Sequence, residues 1–180
     1  AHYPQCIRVI GERAPATVVE TLIPDYQGSD LETLMAAKPD VLGHNVEVVA
    51  RLQRKIRDPR CSFERSLETL RGAKRLYPSA FTKSSLMLGL GETHAEVVES
   101  LHQLREAGVE FLTLGQYLRP TAQHAPVREW VTPERFLDLQ MLGEKLGFLY
   151  VAAGPLVRSS YKAGEFFAMR LVRERRAAAR

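Results

Sequence analysis

Residues 81–96 read FTKSSLMLGLGETHAE, and this stretch predicts one strand, one turn and the start of one helix. Its first eight residues are largely apolar or small, which suits a buried strand, and the glycines at 89 and 91 end that strand. Thr93 then stands as the N-cap of a helix, and Glu96 three residues later completes a capping box. Repetition of such units along a chain is typical of a parallel α/β sheet.

Four further apolar runs predict strands of the same kind. With the run above, the expected strands are residues 18–23, 40–43, 81–88, 109–114 and 148–152. Helices are expected from Ser29, where Glu32 suggests a second capping box, after Pro59, after Thr93, after Thr132 and from about Tyr161. The longest irregular connection is residues 118–131. We therefore predict an α/β fold with a parallel sheet or a barrel segment, in a single domain over residues 1–180.

Composition and charge exclude several classes of protein. The 180 residues are 45% hydrophobic, enough for one sizeable core, and no apolar run approaches the roughly 18 residues of a membrane span. The net charge of +4 equals that of residues 170–180, which hold five arginines and one glutamate, so the basic character belongs to this tail. A nucleic-acid-binding surface would spread cations over a whole face. We expect neither nucleic acid nor a membrane as partner.

The two cysteines, Cys6 and Cys61, fit neither a disulfide framework nor a Cys-x-x-Cys metal motif. We expect two reduced, half-buried thiols. The first residues show no basic and apolar leader of the secretory kind, and the chain lacks an initial Met, so we interpret it as processed, as trimmed or as a fragment.

Ligands of parallel βα arrays bind at the carboxyl ends of the strands, and in this chain those ends are polar or glycine-rich. They carry Pro24-Asp25, His44-Asn45-Val46-Glu47, Gly89-Leu90-Gly91-Glu92, Gly115-Gln116-Tyr117, and Gly154-Pro155 leading into Arg158-Ser159-Ser160-Tyr161. They form either an active-site rim or ordinary polar loops. Composition alone leaves both interpretations open.

Single motifs leave similar alternatives. His44, Asn45 and Glu47 suit ligand hydroxyls such as those of a ribose, or they belong to a local hydrogen-bond network. The glycines at 89 and 91 admit close approach of a ligand, or they form a plain tight turn. An arginine of the motif Arg57-Asp58-Pro59-Arg60 could bind a carboxylate, or the motif is a salt-bridged surface turn. By spacing alone, a serine at 159 or 160 would be the N-cap of the last helix. The histidines have no metal-ligand spacing.

Taken in order, these motifs resemble those of the lipoyl synthase family of radical S-adenosylmethionine (SAM) enzymes. The resemblance rests on residues 21–26, 43–47, 57–60, 83–92, 112–117 and 154–164, and it extends over nearly the whole chain. It implies a partial parallel (β/α) barrel of the radical SAM type, the C-terminal part of a (β/α)6 barrel, with residues 154–180 as a C-terminal extension.

The resemblance also implies an activity. Such enzymes insert two sulfurs at the sixth and eighth carbons of an octanoyl chain on a carrier-domain lysine. One [4Fe–4S] cluster reduces SAM to a hydrogen-abstracting 5′-deoxyadenosyl radical, and a second, auxiliary [4Fe–4S] cluster donates sulfur. The implied partners are octanoylated lipoyl carrier domains, of the E2 subunit of 2-oxoacid dehydrogenases or the H protein of glycine cleavage, and a reductant such as ferredoxin or flavodoxin.

Site residues follow from the same resemblance. It implies that eight residues contact SAM, namely Ser85, Met87, Gly89 and Glu92 near the adenine, Asn45 and Glu47 at the ribose, and Gln116 and Tyr117 near the adenosyl group. A serine of residues 158–161 would be the fourth ligand of the auxiliary cluster, and we favour Ser160 over Ser159.

One departure from the family is large. The family carries two cysteine triplets in its N-terminal half, and neither is present, so we expect this chain to be the C-terminal portion and inactive alone. The alternatives are a non-catalytic module that docks an acidic lipoyl carrier domain through the basic tail, and a different βα-barrel enzyme that needs no cluster. The expected compartment is the bacterial cytoplasm, or the mitochondrial or plastid matrix of a eukaryote.

Overall fold

Five parallel strands form one sheet in the order in which they follow along the chain. The computed structural model describes residues 2–160 and 163–178. Its strands are β1 (Glu20–Leu22), β2 (Val41–Gly43), β3 (Phe81–Leu88), β4 (Phe111–Gln116) and β5 (Tyr150–Gly154). Consecutive parallel strands need a crossover each, and all four crossovers contain a helix. The predicted α/β fold with an open, barrel-like parallel sheet is confirmed.

The helices begin largely where the capping residues predict. They are α1 (His2–Arg13), α2 (Gly28–Met35), α3 (Gln53–Ile56), α4 (Phe63–Leu76), α5 (His94–Glu106), α6 (Pro133–Lys145) and α7 (Ala163–Ala178). Both bonds of the Thr93–Glu96 capping box are present, and the Thr132 hydroxyl accepts from the backbone N–H of Arg135. No helix in the described part of the chain is long and apolar enough to cross a bilayer.

Three expectations need correction. Ser29 is not an N-cap, because α2 begins one residue earlier and Gln27 is the extended residue before it. The Gln27 amide donates instead to the Thr69 hydroxyl of α4 at 2.8 Å. The sequence pattern also gave no prediction of α1, and the strands at 109–114 and 148–152 lie two residues further along.

The two faces of the sheet have different neighbours. On one face Leu86, Leu88, Leu112 and Leu114 join the large apolar core, which includes residues of α4, α5 and α6. Side chains alternate along a strand, so Phe81, Ser85, Met87 and Gly115 lie on the other face. There α7 covers only the amino ends of the strands, where Val172 packs with Val41, Phe81 and Phe111. The carboxyl ends of this second face are left for the site described below.

Two arginines of the basic tail fix α7 in this position. The Arg176 guanidinium donates to both carboxylate oxygens of Asp40, at 2.8 and 2.6 Å, and to the carbonyls of Pro15 and Thr17. Asp40 also accepts from the backbone N–H of Val19 at 2.9 Å, just before β1. Arg175 lies 3.4 Å above the centre of the Phe81 ring. The end of the chain is thus tied to the first strand of the sheet.

Replacement of Arg176 is therefore expected to destabilise the whole fold. Arg176→Ala leaves the largely buried Asp40 carboxylate without its charged partner, which costs about 2 kcal/mol of unfolding free energy. Urea denaturation followed by circular dichroism measures this loss. Arg173→Ala is the control, because Arg173 is exposed on the same helix. Equal stability of the two variants would contradict the assigned role of Arg176.

Candidate functional site

A cavity of about 560 Å³ lies at the carboxyl ends of the strands. That volume is within the usual range for small-molecule sites. Residues of β3, of the end of β4 and of the segments after β2 and β5 form its wall. The predicted residues that line it are Glu47, Ser85, Met87, Gln116, Tyr117 and Ser159. Five of the eight predicted SAM-contacting residues therefore meet at one cavity.

Glu47 is held in an unusual backbone conformation at the cavity wall. Its φ is +65°, in the left-handed region that non-glycine residues rarely occupy. Backbone pairing with β3 maintains it. The Glu47 N–H donates to the Ser85 carbonyl at 3.1 Å, and the Glu47 carbonyl accepts from the Met87 N–H at 2.8 Å. Strain of this kind is often found at functional sites, where the surrounding structure must impose it.

Gln116 and Tyr117 combine a place on the wall with a structural role. The buried Gln116 amide accepts from the backbone N–H of Val131 at 2.9 Å and donates to the Glu129 carbonyl at 3.1 Å. The Tyr117 hydroxyl donates to the Ala125 carbonyl at 2.9 Å. Both side chains therefore hold the irregular connection 118–131 over the end of the sheet, where it closes one side of the cavity.

Asn45, Gly89 and Glu92 do not line this cavity. The buried Glu92 carboxylate accepts from the backbone N–H groups of Gly89 and Leu90, at 2.5 and 3.0 Å, and so fixes the turn after β3. Gly89 has a φ of +97°, and a Cβ there would collide with the Gln116 amide and the Glu129 carbonyl. Gly89 and Glu92 thus shape the cavity through this turn, and their contact with a cofactor stays a prediction.

The segment after β5 brings the candidate serines to the site. A Cβ on Gly115 would collide with the Val157 carbonyl, so this glycine lets the segment cross β4 closely. Ser159 is half-buried and lines the cavity, whereas Ser160 is exposed. Tyr161 lies outside the described residues. Which serine binds a metal stays a prediction, and the structure places Ser159 nearer the cavity than the favoured Ser160.

A buried polar network supports the loop that carries Glu47. The nitrogens of the buried His44 ring lie 2.8 Å from the Ile23 carbonyl and 2.6 Å from the Asp25 carboxylate. The Ser66 hydroxyl donates to the same carboxylate at 2.8 Å. Burial disfavours the charged form of Asp25, but the hydrogen bonds from His44 and Ser66 outweigh it and hold the pKa well below the usual carboxyl range.

Gln53 links this network to the cavity. Its side-chain amide donates to the carbonyls of Val46 and Val48, at 2.8 and 2.5 Å, on both sides of Glu47. Arg57 joins the two halves by donating to Gln53 and to Ser66. The sequence pattern singled out Arg57 and His44 but missed Gln53 and Ser66, because lone polar residues in helical stretches carry no distinctive spacing.

The polar and apolar groups on the cavity wall are those that an adenosyl group requires. It offers a carboxylate at Glu47, a hydroxyl at Ser85 and apolar contact at Met87 and Tyr117. Thr113 pairs with Ser85 across the sheet, and within the described residues its buried hydroxyl has no hydrogen-bond partner. Thr113 is not among the residues that line the cavity, so the fit depends on Glu47, Ser85, Met87 and Tyr117.

An iron–sulfur cluster does not fit the described residues of this chain. Among the described residues, no group of three or more His, Cys, Asp or Glu side chains is placed to hold a metal ion. Burial raises the pKa of the half-buried Cys61 thiol. Cys6 is exposed on α1, not half-buried as expected.

Comparisons with known proteins show the family to which this chain belongs. The Radical SAM superfamily profile matches residues 11–104, more than half of the chain, and the chain belongs to that superfamily. It is 53% identical over 169 residues to a lipoyl synthase of Thermus thermophilus, covering 93% of this chain and 52% of that protein. It is 49% identical over 177 residues to a mitochondrial lipoyl synthase of Danio rerio, covering 97% and 44%.

The resemblance to lipoyl synthases is thereby confirmed, and the chain spans about half the length of the curated relatives it matches. An HMG-CoA lyase from Bacillus subtilis shares the fold with a TM-score of 0.51 at 14% identity, covering 83% of this chain and 57% of that one. At that identity the likeness concerns the fold alone.

The hydrogen bonds to Asp25 should make the stability of the protein depend on pH. Because the folded-state pKa of Asp25 is below the ordinary value of about 3.9, its contribution is complete above that pH and is lost as the pH falls through the acidic range. Asp25→Asn should lower the unfolding free energy by about 2 kcal/mol at neutral pH and by progressively less below about pH 4.

Urea denaturation across this pH range measures the difference between the two proteins. The exposed Asp138 provides a control variant, Asp138→Asn, which should follow the unaltered chain at every pH. If the difference in unfolding free energy between Asp25→Asn and the unaltered chain stayed the same in acid, the charge of the Asp25 carboxylate would not contribute to stability.

Proposed function

We propose that this chain forms the SAM-binding part of a lipoyl synthase. The complete enzyme would insert two sulfurs at the sixth and eighth carbons of an octanoyl chain on a lipoyl carrier domain. One observation carries the proposal: residues from separate family-like motifs line a single cavity at the carboxyl ends of the strands. The identity to curated lipoyl synthases over nearly the whole chain supports it.

The residues of this chain would bind and orient the cofactor. The Glu47 carboxylate would accept from the ribose hydroxyls, while Ser85 and Met87 contact the adenosyl group. Gln116 and Tyr117 would exclude water on one side by holding the connection 118–131 in place. When bound in the complete enzyme, SAM supplies the hydrogen-abstracting chemistry.

The remaining components are also proposals. The two [4Fe–4S] clusters would be held by cysteines that this chain lacks, with Ser160 or Ser159 as an added ligand of the auxiliary cluster. The chain would be inactive by itself for that reason. Octanoylated carrier domains and a ferredoxin-like or flavodoxin-like reductant would be its partners. The named relatives include a bacterial and a mitochondrial protein, and we favour the bacterial cytoplasm over an organelle matrix.

Variants of Glu47 test SAM binding apart from folding. Glu47→Gly removes the carboxylate but suits a φ of +65°, so unfolding free energy should change by less than about 1 kcal/mol. Glu47→Gln keeps the side-chain shape without the charge. Both should weaken SAM binding by about tenfold, measured by isothermal titration calorimetry. Unchanged affinity in both variants, or no saturable SAM binding by the unaltered chain, would refute the proposed site.

Anaerobic reconstitution tests the inactivity of the chain alone. After incubation with iron, sulfide and reductant, followed by desalting, we expect no stoichiometric iron or sulfide, because no suitable ligand group exists among the described residues. Iron and acid-labile sulfide assays give the readout, and Cys61→Ala serves as a comparison. Stoichiometric cluster binding that this variant loses would contradict the expectation.

A further inference from the structure

A second cavity, of about 340 Å³, adjoins the first and is lined by three cations. They are Arg51, Lys55 and Arg128, and no acidic side chain lies among the lining residues. Lys55, Ile56 and Ala125 line both cavities, so the two form one continuous depression. We call the part formed by Arg51, Lys55 and Arg128 the cationic groove.

The fold places two of these cations around one glycine. Arg51 donates to the Gly91 carbonyl at 2.8 Å and pairs with Glu96 at 2.6 Å. The backbone N–H of Arg128 donates to the Gly89 carbonyl at 2.8 Å. The Cγ atom of Arg128 lies 3.6 Å from the point where a Cβ on Gly91 would stand. The turn after β3 therefore fixes the groove beside the candidate SAM cavity.

Lys55 and Arg128 differ from the cations of the tail in their partners. Within residues 2–160 and 163–178, neither side chain has an acidic or hydrogen-bonding partner, and both are exposed. In contrast, Arg175 pairs with Glu110 and Arg176 with Asp40. Two arginines of the tail are therefore engaged in ion pairs that hold α7. The charges of Lys55 and Arg128 in the groove are not paired within the described residues, so they can interact with a partner.

We infer that the cationic groove docks the acidic face of a protein that delivers a substrate chain into the adjoining cavity. On the proposed function, on which this inference rests, that protein is the octanoylated lipoyl carrier domain. The basic tail, at the opposite end of the sheet, is then not the docking surface.

The form of the groove favours a protein over other anions. It is open and its free cations are exposed, which does not suit tight capture of a small phosphate. Nucleic acid would need a longer track of cations than these three. Leu118 lines the first cavity and is 46% exposed, which provides apolar contact area close to the charges. An apolar core with a polar rim is the usual arrangement of protein interfaces.

Charge reversal tests the inference directly. The double variant Lys55→Glu/Arg128→Glu should weaken binding of an octanoylated E2 lipoyl domain by about tenfold and reduce its salt dependence. The control is Lys145→Glu/Arg173→Glu, which reverses the same two residue types at exposed positions away from the groove. This control should change the affinity less than about twofold. Biolayer interferometry at low and physiological ionic strength gives both quantities.

A lipoyl domain without the octanoyl group separates charge from chain insertion. Its weaker binding should still depend on Lys55 and Arg128, because their charges would attract the acidic protein surface whether or not the acyl chain is present. The inference would be overturned if both double variants lost affinity for the lipoyl domain equally, or if only the control lost it. It would also be overturned if the unaltered chain did not bind the lipoyl domain. SAM binding by the unaltered chain is measured in parallel, and its absence would instead refute the proposed function.

Discussion

The parallel register of the five strands is the constraint on which the site depends. Lys83, Phe111 and Tyr150 lie in one row across the sheet, and Ser85, Thr113 and Ala152 form the next row on the same face. Residues in a row share a face, so every strand ends at the same edge with the same orientation. A change of register by one residue would turn Ser85 and Met87 toward the apolar core and would remove the cavity wall.

Above this sheet, the connections are held by polar contacts from elements distant in sequence. The loop with Glu47 depends on Gln53 and on the Asp25–His44 pair, and the connection 118–131 depends on the side chains of Gln116 and Tyr117. Buried polar groups of this kind are costly to leave unpaired, so they impose one arrangement of the loops. The result is a cavity whose wall is held in one arrangement.

Local signals in the sequence predicted the fold well wherever they coincided with the tertiary structure. The Thr93–Glu96 capping box and the strand at 81–88 depend on neighbouring residues, and both are present as expected. The Ser29 cap failed because a contact from Gln27 to α4, 42 residues away in sequence, determines where α2 begins. Such long-range contacts have no signature in a short window of sequence.

For the site, residue type and strand-end position brought most candidates to one place but did not assign their roles. Glu92 was expected near the adenine, yet its carboxylate is used by two backbone N–H groups of its own turn. The left-handed conformation of Glu47 was also not predictable, because backbone pairing with β3 imposes it against local preference. Sequence patterns locate a rim; only the structure separates the residues that face the cavity from those that build it.

Hydrogen exchange in the presence of SAM tests the central claim most directly. Amide exchange would be measured by mass spectrometry on the unaltered chain with and without SAM, over peptides that cover the whole protein. We expect protection in residues 46–48, 85–88, 115–118 and 157–159, which include residues of the cavity wall, and none in α1 or the end of α7. Protection confined to the amino ends of the strands, or none anywhere at saturating SAM, would contradict it.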